Sequence, residues 1–143
     1  MTKVTDVFER FLSKITNYSF LTISKEELEA TLMDYLRSAI ANFHKCKKSL
    51  NIVDDANGEK VFEEELTPYE QEILAMYMII EYLKPRIVTD EIIEQSLSDK
   101  DFKIYSQANQ LRELNLLYRM LRREVDKKVT EYTYFDIEDD FND

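Results

Sequence analysis

The stretch DFKIYSQANQLRELNLLYRMLRREVDKKVTEY, residues 101–132, decides the fold that the sequence predicts. Apolar residues recur in it every three or four positions, which is the spacing of one face of an α-helix. No Gly or Pro interrupts the pattern, and Ser98 with Asp101 forms a helix start signal. We therefore predict one final helix of roughly 34 residues, which is about 50 Å long at the usual rise per residue. The stripe consists of Phe102, Tyr105, Ala108, Leu111, Leu114, Tyr118, Leu121, Val125, Val129 and Tyr132.

This predicted helix is longer than the body to which it belongs. A compact chain of 143 residues has a radius of gyration of about 14–15 Å and hence a diameter of about 37 Å. The helix would extend beyond that body by roughly two turns or more. Because an uncovered apolar stripe is a liability in water, we expect another molecule to cover it, and the nearest candidate is a second copy of the chain.

Two helices are predicted in the first third of the chain. Apolar residues at helical spacing indicate a short amphipathic helix over residues 3–16. Ser24 and Glu27 form a capping box that opens the second helix. We expect the second helix to end near Lys47, where basic residues suit the negative end of the helix dipole.

A third helix is predicted to begin at Thr67, which is a good N-cap, and to be buried on more than one face. Pro85 should end it, because the residue before a proline avoids helical geometry. The following TDEIIEQSL, residues 89–97, is typical of a short helix or turn. Upstream of Thr67, residues 49–66 break the helical period, and the turn signal Asn57-Gly58 predicts a β-hairpin or an ordered protruding loop.

These elements define the predicted fold class, which is all-α. We expect a small helical bundle with one long C-terminal helix, a protruding hairpin or loop near residues 50–62, and an extended C-terminal tail. The chain is divided into a helical domain over residues 1–131 and an acidic, aromatic docking tail over residues 132–143. The tail is predicted to be extended because large apolar residues alternate with polar ones from Tyr132 onward.

Composition disfavours several classes of function. The formal charge of −10 repels phosphate backbones, so sequence-specific recognition of DNA or RNA is a poor first hypothesis. Cys46 is the single cysteine, which is typical of a reducing compartment. No stretch has the length and hydrophobicity of a signal peptide core or a membrane span. We expect an intracellular protein without a membrane partner.

The sequence suggests no catalytic or cofactor site. One histidine excludes multi-histidine metal sites, and one glycine excludes a glycine-rich phosphate loop. DDANGEKVFEE has a faint likeness to a calcium-binding loop, but Val53 occupies the first ligand position, so a polar hairpin tip is the better interpretation. We predict no enzyme activity, no cofactor and no bound metal.

Charge is segregated along the last third of the chain. Residues 111–128 contain six bases and three acids, whereas residues 129–143 contain six acids and no base. We predict that the basic part, with uncharged amides before it, forms a contact between subunits, and a plain surface turn is the alternative that the amides leave open. The residues assigned to this subunit interface are Arg112, Arg119, Arg122, Arg123, Gln107 and Gln110.

The end of the chain has the anchors of a docking peptide. Its large side chains are suited to insertion into a partner surface, for example by adding a strand to a partner's sheet. Two alternatives stay open, namely that the tail folds back on its own helix or that it is a disordered acidic end. The residues assigned to partner docking are Tyr132, Tyr134, Phe135, Ile137 and Phe141.

The order of these segments resembles a known family. A short N-terminal helix is followed by KEELEATLMDYLRSAIANFHKCKKSL, then LTPYEQEILAMYMIIEYLKPRI, then QSLSDKDFKIYSQANQLRELNLLYRMLRREV. This arrangement, over roughly residues 20–135, resembles the head-to-tail connector (neck adaptor) proteins of tailed bacteriophages. The DDANGE turn departs from that pattern, and the resemblance assigns no role to it.

The resemblance implies a structural virion protein that is assembled in the host cytoplasm and resides in the neck. Such proteins form a homo-oligomeric ring, commonly twelvefold, beneath the portal protein of the capsid. The ring extends the DNA channel, through which DNA passes without specific binding, and it offers a surface to the tail or to a second neck ring. The long helix and the C-terminal segment are implied to contact the portal. Alternatives are another tail-completion or baseplate protein, or a small helical regulatory protein that binds a partner through its C-terminal tail.

Overall fold

The protein is mostly helical, as the sequence predicts. A computed structural model describes residues 1–15, 20, 23–96 and 101–142, and within them the side chains of residues 1–15, 20, 23–87 and 111–134. About 70% of the chain is helical. The described part contains the helices α1 (Val4–Lys14), α2 (Lys25–Asn42), α3 (Pro68–Ser96) and α4 (Asp101–Asn142), and an antiparallel pair of strands, β1 (Ile52–Asp54) and β2 (Lys60–Phe62).

Helix α1 lies within the predicted range of residues 3–16, and α2 begins where its capping residue predicts. The carboxylate of Asp6 accepts a hydrogen bond from the backbone N–H of Lys3 (3.1 Å), and Ser24 Oγ accepts one from Glu27 N–H (3.2 Å). Helix α2 ends at Asn42, earlier than the predicted end near Lys47. Phe43 leaves helical geometry with φ −87° and ψ 56° and is 1% exposed, so the chain turns here to bury its ring.

The predicted hairpin is confirmed, with Ile52 opposite Phe62 and Val53 opposite Val61. Gly58 adopts φ +80° in the turn, a left-handed conformation that glycine tolerates without strain. The hairpin packs on the body through the end of β2. Val61 and Phe62 are 2% and 0% exposed, and Phe62 N–H donates to the carbonyl of Thr2 (2.9 Å). Val53, Asp54 and Lys60 and most of the turn are exposed.

Helix α3 is the centre of the fold. Thr67 and Glu70 form the capping box, in which Thr67 N–H donates to Glu70 Oε1 (2.8 Å) and Glu70 N–H donates to Thr67 Oγ1 (3.2 Å). Each residue from 73 to 80 is at most 7% exposed. Because α1, α2 and α4 all pack on it, α3 is buried on more than one face, as its continuous apolar sequence predicts.

The prediction that α3 ends before Pro85 is wrong. The helix continues through Pro85 to Ser96, so residues 89–96 belong to it and not to a separate short helix or turn. A proline inside a helix removes one backbone hydrogen bond. Pro85 is exposed, so water can satisfy the carbonyl that loses its partner, while the adjacent Tyr82 and Leu83 are buried and hold the helix in place.

Replacing Pro85 with alanine is expected to raise the free energy of unfolding by about 1–2 kcal/mol. An interior proline costs about 3 kcal/mol relative to alanine, and part of this is offset because proline restricts the unfolded chain. Urea unfolding followed by circular dichroism measures the change. The neighbouring Lys84→Ala, which loses an exposed ion pair with Glu81 (2.8 Å), serves as the control and should change little. A Pro85→Ala protein of equal or lower stability would contradict a helix that runs through this position.

Helix α4 runs antiparallel to α3. Tyr132 contacts Glu70 near the start of α3, and Leu117 lies beside Leu83 further along it. The inner stripe of α4 includes the buried Val125 and Val129, with Leu114, Tyr118 and Leu121 partly buried against the core. The side chains of Phe102, Tyr105 and Ala108 lie outside the described residues.

The prediction of an extended tail is wrong for residues 132–142, which continue α4. The alternation of Tyr132 and Tyr134 that indicated an extended segment is equally compatible with a helix. Tyr132 is 7% exposed and Tyr134 is 60% exposed, which is the result expected for two residues about 200° apart on a helix. With no Gly or Pro after Tyr132, nothing in the sequence ends the helix.

A search of the described helices for a membrane span found none with the required combination of length and hydrophobicity.

Candidate functional site

Helix α4 exposes an apolar pair on the side opposite its buried stripe. Leu116 is 59% exposed and Met120 is 51% exposed. Residues four apart lie on the same face of a helix, one turn above the other, so the two side chains form one patch. Both large side chains face solvent in the isolated chain, which is unfavourable unless a partner covers them.

Arginines surround this pair. Arg112, Arg119 and Arg123 are all exposed, and helical geometry places them on the same side of α4 as Leu116 and Met120. Within the described residues, none of these three arginines forms an ion pair. We call these five residues the outer face of α4. It combines apolar contact area with uncompensated positive charge in a chain that is acidic overall.

The other residues predicted to form interfaces do not belong to the outer face of α4. Arg122 is half-buried and lies near Tyr77 and Asp126, away from the outer face. Tyr134 is exposed, and five turns of helix separate it from Leu116, so it continues the side on which the outer face lies. The side chains of Gln107, Gln110, Phe135, Ile137 and Phe141 lie outside the described residues.

Tyr132, predicted as a docking residue, is used within the chain. Its hydroxyl donates to Glu70 Oε2 (2.6 Å) and accepts from the backbone N–H of Lys47 (3.1 Å). The Lys47 ammonium donates to the Tyr132 carbonyl (3.1 Å) and lies 4.8 Å from the centre of the ring. Tyr132 therefore joins α4 to the start of α3 and to the turn after α2.

Glu70 is the central acceptor of this cluster and is 1% exposed. Besides the Tyr132 hydroxyl, it accepts from the Thr67 backbone, from Lys48 Nζ at 2.9 Å and from Cys46 Sγ at 3.7 Å. We call Cys46, Lys47, Lys48, Glu70 and Tyr132 the anchor cluster. A buried carboxylate is tolerated when it is paired and hydrogen-bonded, and Glu70 meets both conditions.

The pKa values of the anchor cluster follow from these contacts. Burial raises the pKa of Glu70, but the hydrogen bonds from Tyr132 and Thr67 and the pair with Lys48 outweigh burial and hold it below its usual value. Burial and the hydrogen bond to Glu70 raise the pKa of Tyr132. Burial also raises the pKa of the Cys46 thiol. At neutral pH the cluster thus contains an ionised Glu70 that accepts from a protonated phenol and a protonated thiol.

Aromatic rings complete the attachment of Tyr132. The Phe43 ring packs edge-on against it at 5.4 Å between ring centres, and the Tyr69 ring stacks on it at 6.4 Å with an interplanar angle of 8°. Tyr69 also donates to the carbonyl of Lys128 (3.1 Å) one turn earlier on α4. These contacts fix α4 against the start of α3 at Tyr132, two residues before the exposed Tyr134.

Sequence reasoning did not find the anchor cluster. Its position three residues after Thr67 marks Glu70 as a member of a capping box, but no local pattern indicates that the same carboxylate also binds Tyr132, which is 62 positions away. The sequence signal that could have suggested it is the position of Tyr132 in the apolar stripe of α4, where a hydroxyl must find a buried partner. Among the described residues there is no group of three or more His, Cys, Asp or Glu side chains that could hold a metal ion.

Comparisons with protein-family models, with curated proteins and with solved structures find no match to this chain.

Proposed function

We propose that this protein is a neck adaptor of a tailed bacteriophage, a structural subunit that forms a ring on the portal and connects it to the tail. The observation that carries the proposal is the outer face of α4, which presents Leu116 and Met120 among arginines that form no ion pair with the described part of the chain. Such a surface is suited to assembly, because apolar area and charge are both left for a partner to satisfy. We identify the assembly as a phage neck ring because the order of the segments resembles that of neck adaptors.

In this proposal two parts of α4 make different contacts, one with neighbouring subunits and one with the portal. The middle of α4 packs against α3 and exposes the outer face to neighbouring subunits. The part after Tyr132 continues to Asn142 and contacts the portal, with Tyr134 as the described residue that leads into this contact. The anchor cluster supports the second task, because a rigid attachment at Tyr132 lowers the conformational entropy that the C-terminal segment loses on docking.

The charge of the chain is compatible with a DNA conduit. A formal charge of −10 per subunit repels the phosphate backbone, so DNA can pass through a ring of such subunits without being retained. The arginines of the outer face belong, in this proposal, to contacts between proteins. DNA is then a passing polymer and not a ligand.

Negative-stain imaging of a portal protein from the genome that encodes this chain, alone and mixed with the chain, tests the proposed function. We expect the mixture to show an additional ring layer with the symmetry of the portal. A chain that ends after Tyr134 should keep its helical circular dichroism but add no layer, because it retains Tyr132 and lacks the proposed portal contact. If the full chain adds no density to the portal, the neck role is wrong.

Tyr134→Ala and Val53→Ala form a matched pair for the same assay. Both positions carry exposed large side chains, at 60% and 41%, but Val53 lies on the hairpin. We expect Tyr134→Ala to weaken portal binding by about tenfold, as for a hot-spot residue, and Val53→Ala to bind like the unmodified chain. Equal binding by both variants would show that Tyr134 is not part of the portal contact.

A further inference from the structure

We propose that the outer face of α4 binds the acidic end, residues 136–143, of a second copy of this chain, and we call these residues the acidic segment. The inference rests on the proposed function in that it assigns the contact between neighbouring ring subunits. Three properties of the chain point to this occupant: its charge complements the outer face, acids elsewhere already have partners, and α4 is one helix that cannot fold back on itself.

Charge complementarity is the first argument. The outer face offers Arg112, Arg119 and Arg123 without ion pairs among the described residues. The acidic segment, residues 136–143, contains five acids and no base. At helical spacing, positions 136, 139 and 140 fall on one side of α4 and positions 134, 137 and 141 on the opposite side, so the carboxylates can pair with the arginines while the opposite side is left for the portal.

Another acid-rich stretch, residues 63–72, already has partners for several of its carboxylates. Glu63 accepts from Ser49 Oγ (3.3 Å) and from Asn51 Nδ2 (3.2 Å) within the hairpin region. Glu70 pairs with Lys48, and Glu72 pairs with Arg10 at 3.2 Å and with Lys14. Binding this stretch to the outer face of another copy would require breaking these contacts.

The acidic segment cannot reach the outer face of its own chain. Both lie on α4, which is one helix from Asp101 to Asn142. At 1.5 Å per residue, Leu116 and Glu138 are about 33 Å apart along the axis. A helix cannot bring its own end back onto its middle, so the two surfaces can meet only between two molecules.

The resulting contact is heterologous, because two different patches of one chain meet. Each copy donates one acidic segment and accepts another on its outer face. Such contacts repeat from copy to copy, and they close into a ring when the rotation between neighbours divides a full circle. With any other rotation the same contact gives an open filament.

A charge swap on the purified full chain tests this contact. One variant carries Arg119→Glu and Arg123→Glu, and the other carries Asp139→Lys and Asp140→Lys. Sedimentation velocity at low salt, up to about 1 mM protein, detects even weak association. We expect the unmodified chain to self-associate, each variant alone to associate at least about tenfold more weakly, and an equimolar mixture of the two to recover, because each supplies the charge that the other lacks.

Arg37→Glu with Lys45→Glu is the matched control for the arginine variant. Both positions are exposed and outside α4, and the change in net charge equals that of Arg119→Glu with Arg123→Glu. It should associate like the unmodified chain. A monomeric unmodified chain at the highest concentration, or variants that do not recover on mixing, would overturn the inference. Neither result decides portal binding, which the imaging assay measures separately, so this contact and the neck role can fail independently.

Discussion

Replacing Glu70 with alanine is expected to lower the free energy of unfolding by about 3 kcal/mol, which is large for one residue on a helix. The variant leaves the Tyr132 hydroxyl and the Thr67 N–H without their acceptor, and it removes the partner of Lys48. Lys48 is one-third exposed and can turn to water, so most of the loss comes from the two groups near the start of α3. Urea unfolding of the full chain measures the effect.

Glu70→Gln separates charge from hydrogen bonding. Glutamine still accepts hydrogen bonds, so we expect a smaller loss of about 1–2 kcal/mol at neutral pH. Because the pKa of Glu70 in the folded chain lies below its ordinary value of 4.5, the charge stabilises the fold above that pH, and this contribution disappears as the pH falls through the folded pKa. The stability difference between the unmodified chain and Glu70→Gln should therefore shrink with acidification. A difference that is constant from pH 7 to pH 3 would contradict an ionised, hydrogen-bonded Glu70.

Replacing Tyr132 with alanine is expected to cost about 3–5 kcal/mol, which is the usual penalty for removing a buried large aromatic side chain. The ring packs against Phe43 and Tyr69, and its hydroxyl holds Glu70. The variant should also loosen α4 around position 132. Hydrogen exchange in residues 125–134 should report that loosening, with faster exchange than in the unmodified chain.

Tyr132→Phe is the control that keeps the ring and removes the hydroxyl. We expect it to cost about 1–2 kcal/mol, because the Lys47 N–H loses an acceptor and Glu70 loses a donor. In a double-mutant cycle, Tyr132→Phe and Glu70→Gln should be coupled, since the two groups share a bond of 2.6 Å. Additive effects of the two substitutions would show that this bond does not contribute to stability.

The anchor cluster determines where the C-terminal end can be removed without destabilising the fold. The sequence alone suggested a boundary between residues 131 and 132, with a docking tail beyond it. A chain cut there would lose Tyr132 and with it a buried part of the fold. A cut after Tyr134 removes the end of α4 and leaves the cluster intact, so it separates loss of docking from loss of stability.

Several elements could be predicted from the sequence because their causes are local. Ser24 and Thr67 cap the helices that follow them, since a capping hydroxyl bonds to a backbone donor three residues away. Gly58 permits the hairpin turn through its positive φ. The continuous apolar stretch of α3 predicted burial on several sides, because an apolar surface must be covered wherever it points.

Other features could not be predicted from local rules. Pro85 was expected to end α3, but packing of Tyr82 and Leu83 outweighs the loss of one backbone hydrogen bond. The alternation after Tyr132 was interpreted as an extended segment, and the structure continues the helix. In both cases a weak local preference competes with contacts made by residues far away in the chain.

The sequence by itself determined the helical class, the start of the capped helices, the hairpin and the segregation of charge along the last third, because each depends on neighbouring residues or on composition. The tertiary structure alone decided that α3 passes through Pro85, that Glu70 and Tyr132 meet, and that Leu116 and Met120 face solvent while Val125 and Val129 do not. A periodic pattern shows that a helix has two faces, but the body that packs against it determines which face is covered. For the same reason, the candidate interaction surface became visible only when α4 was placed against α3.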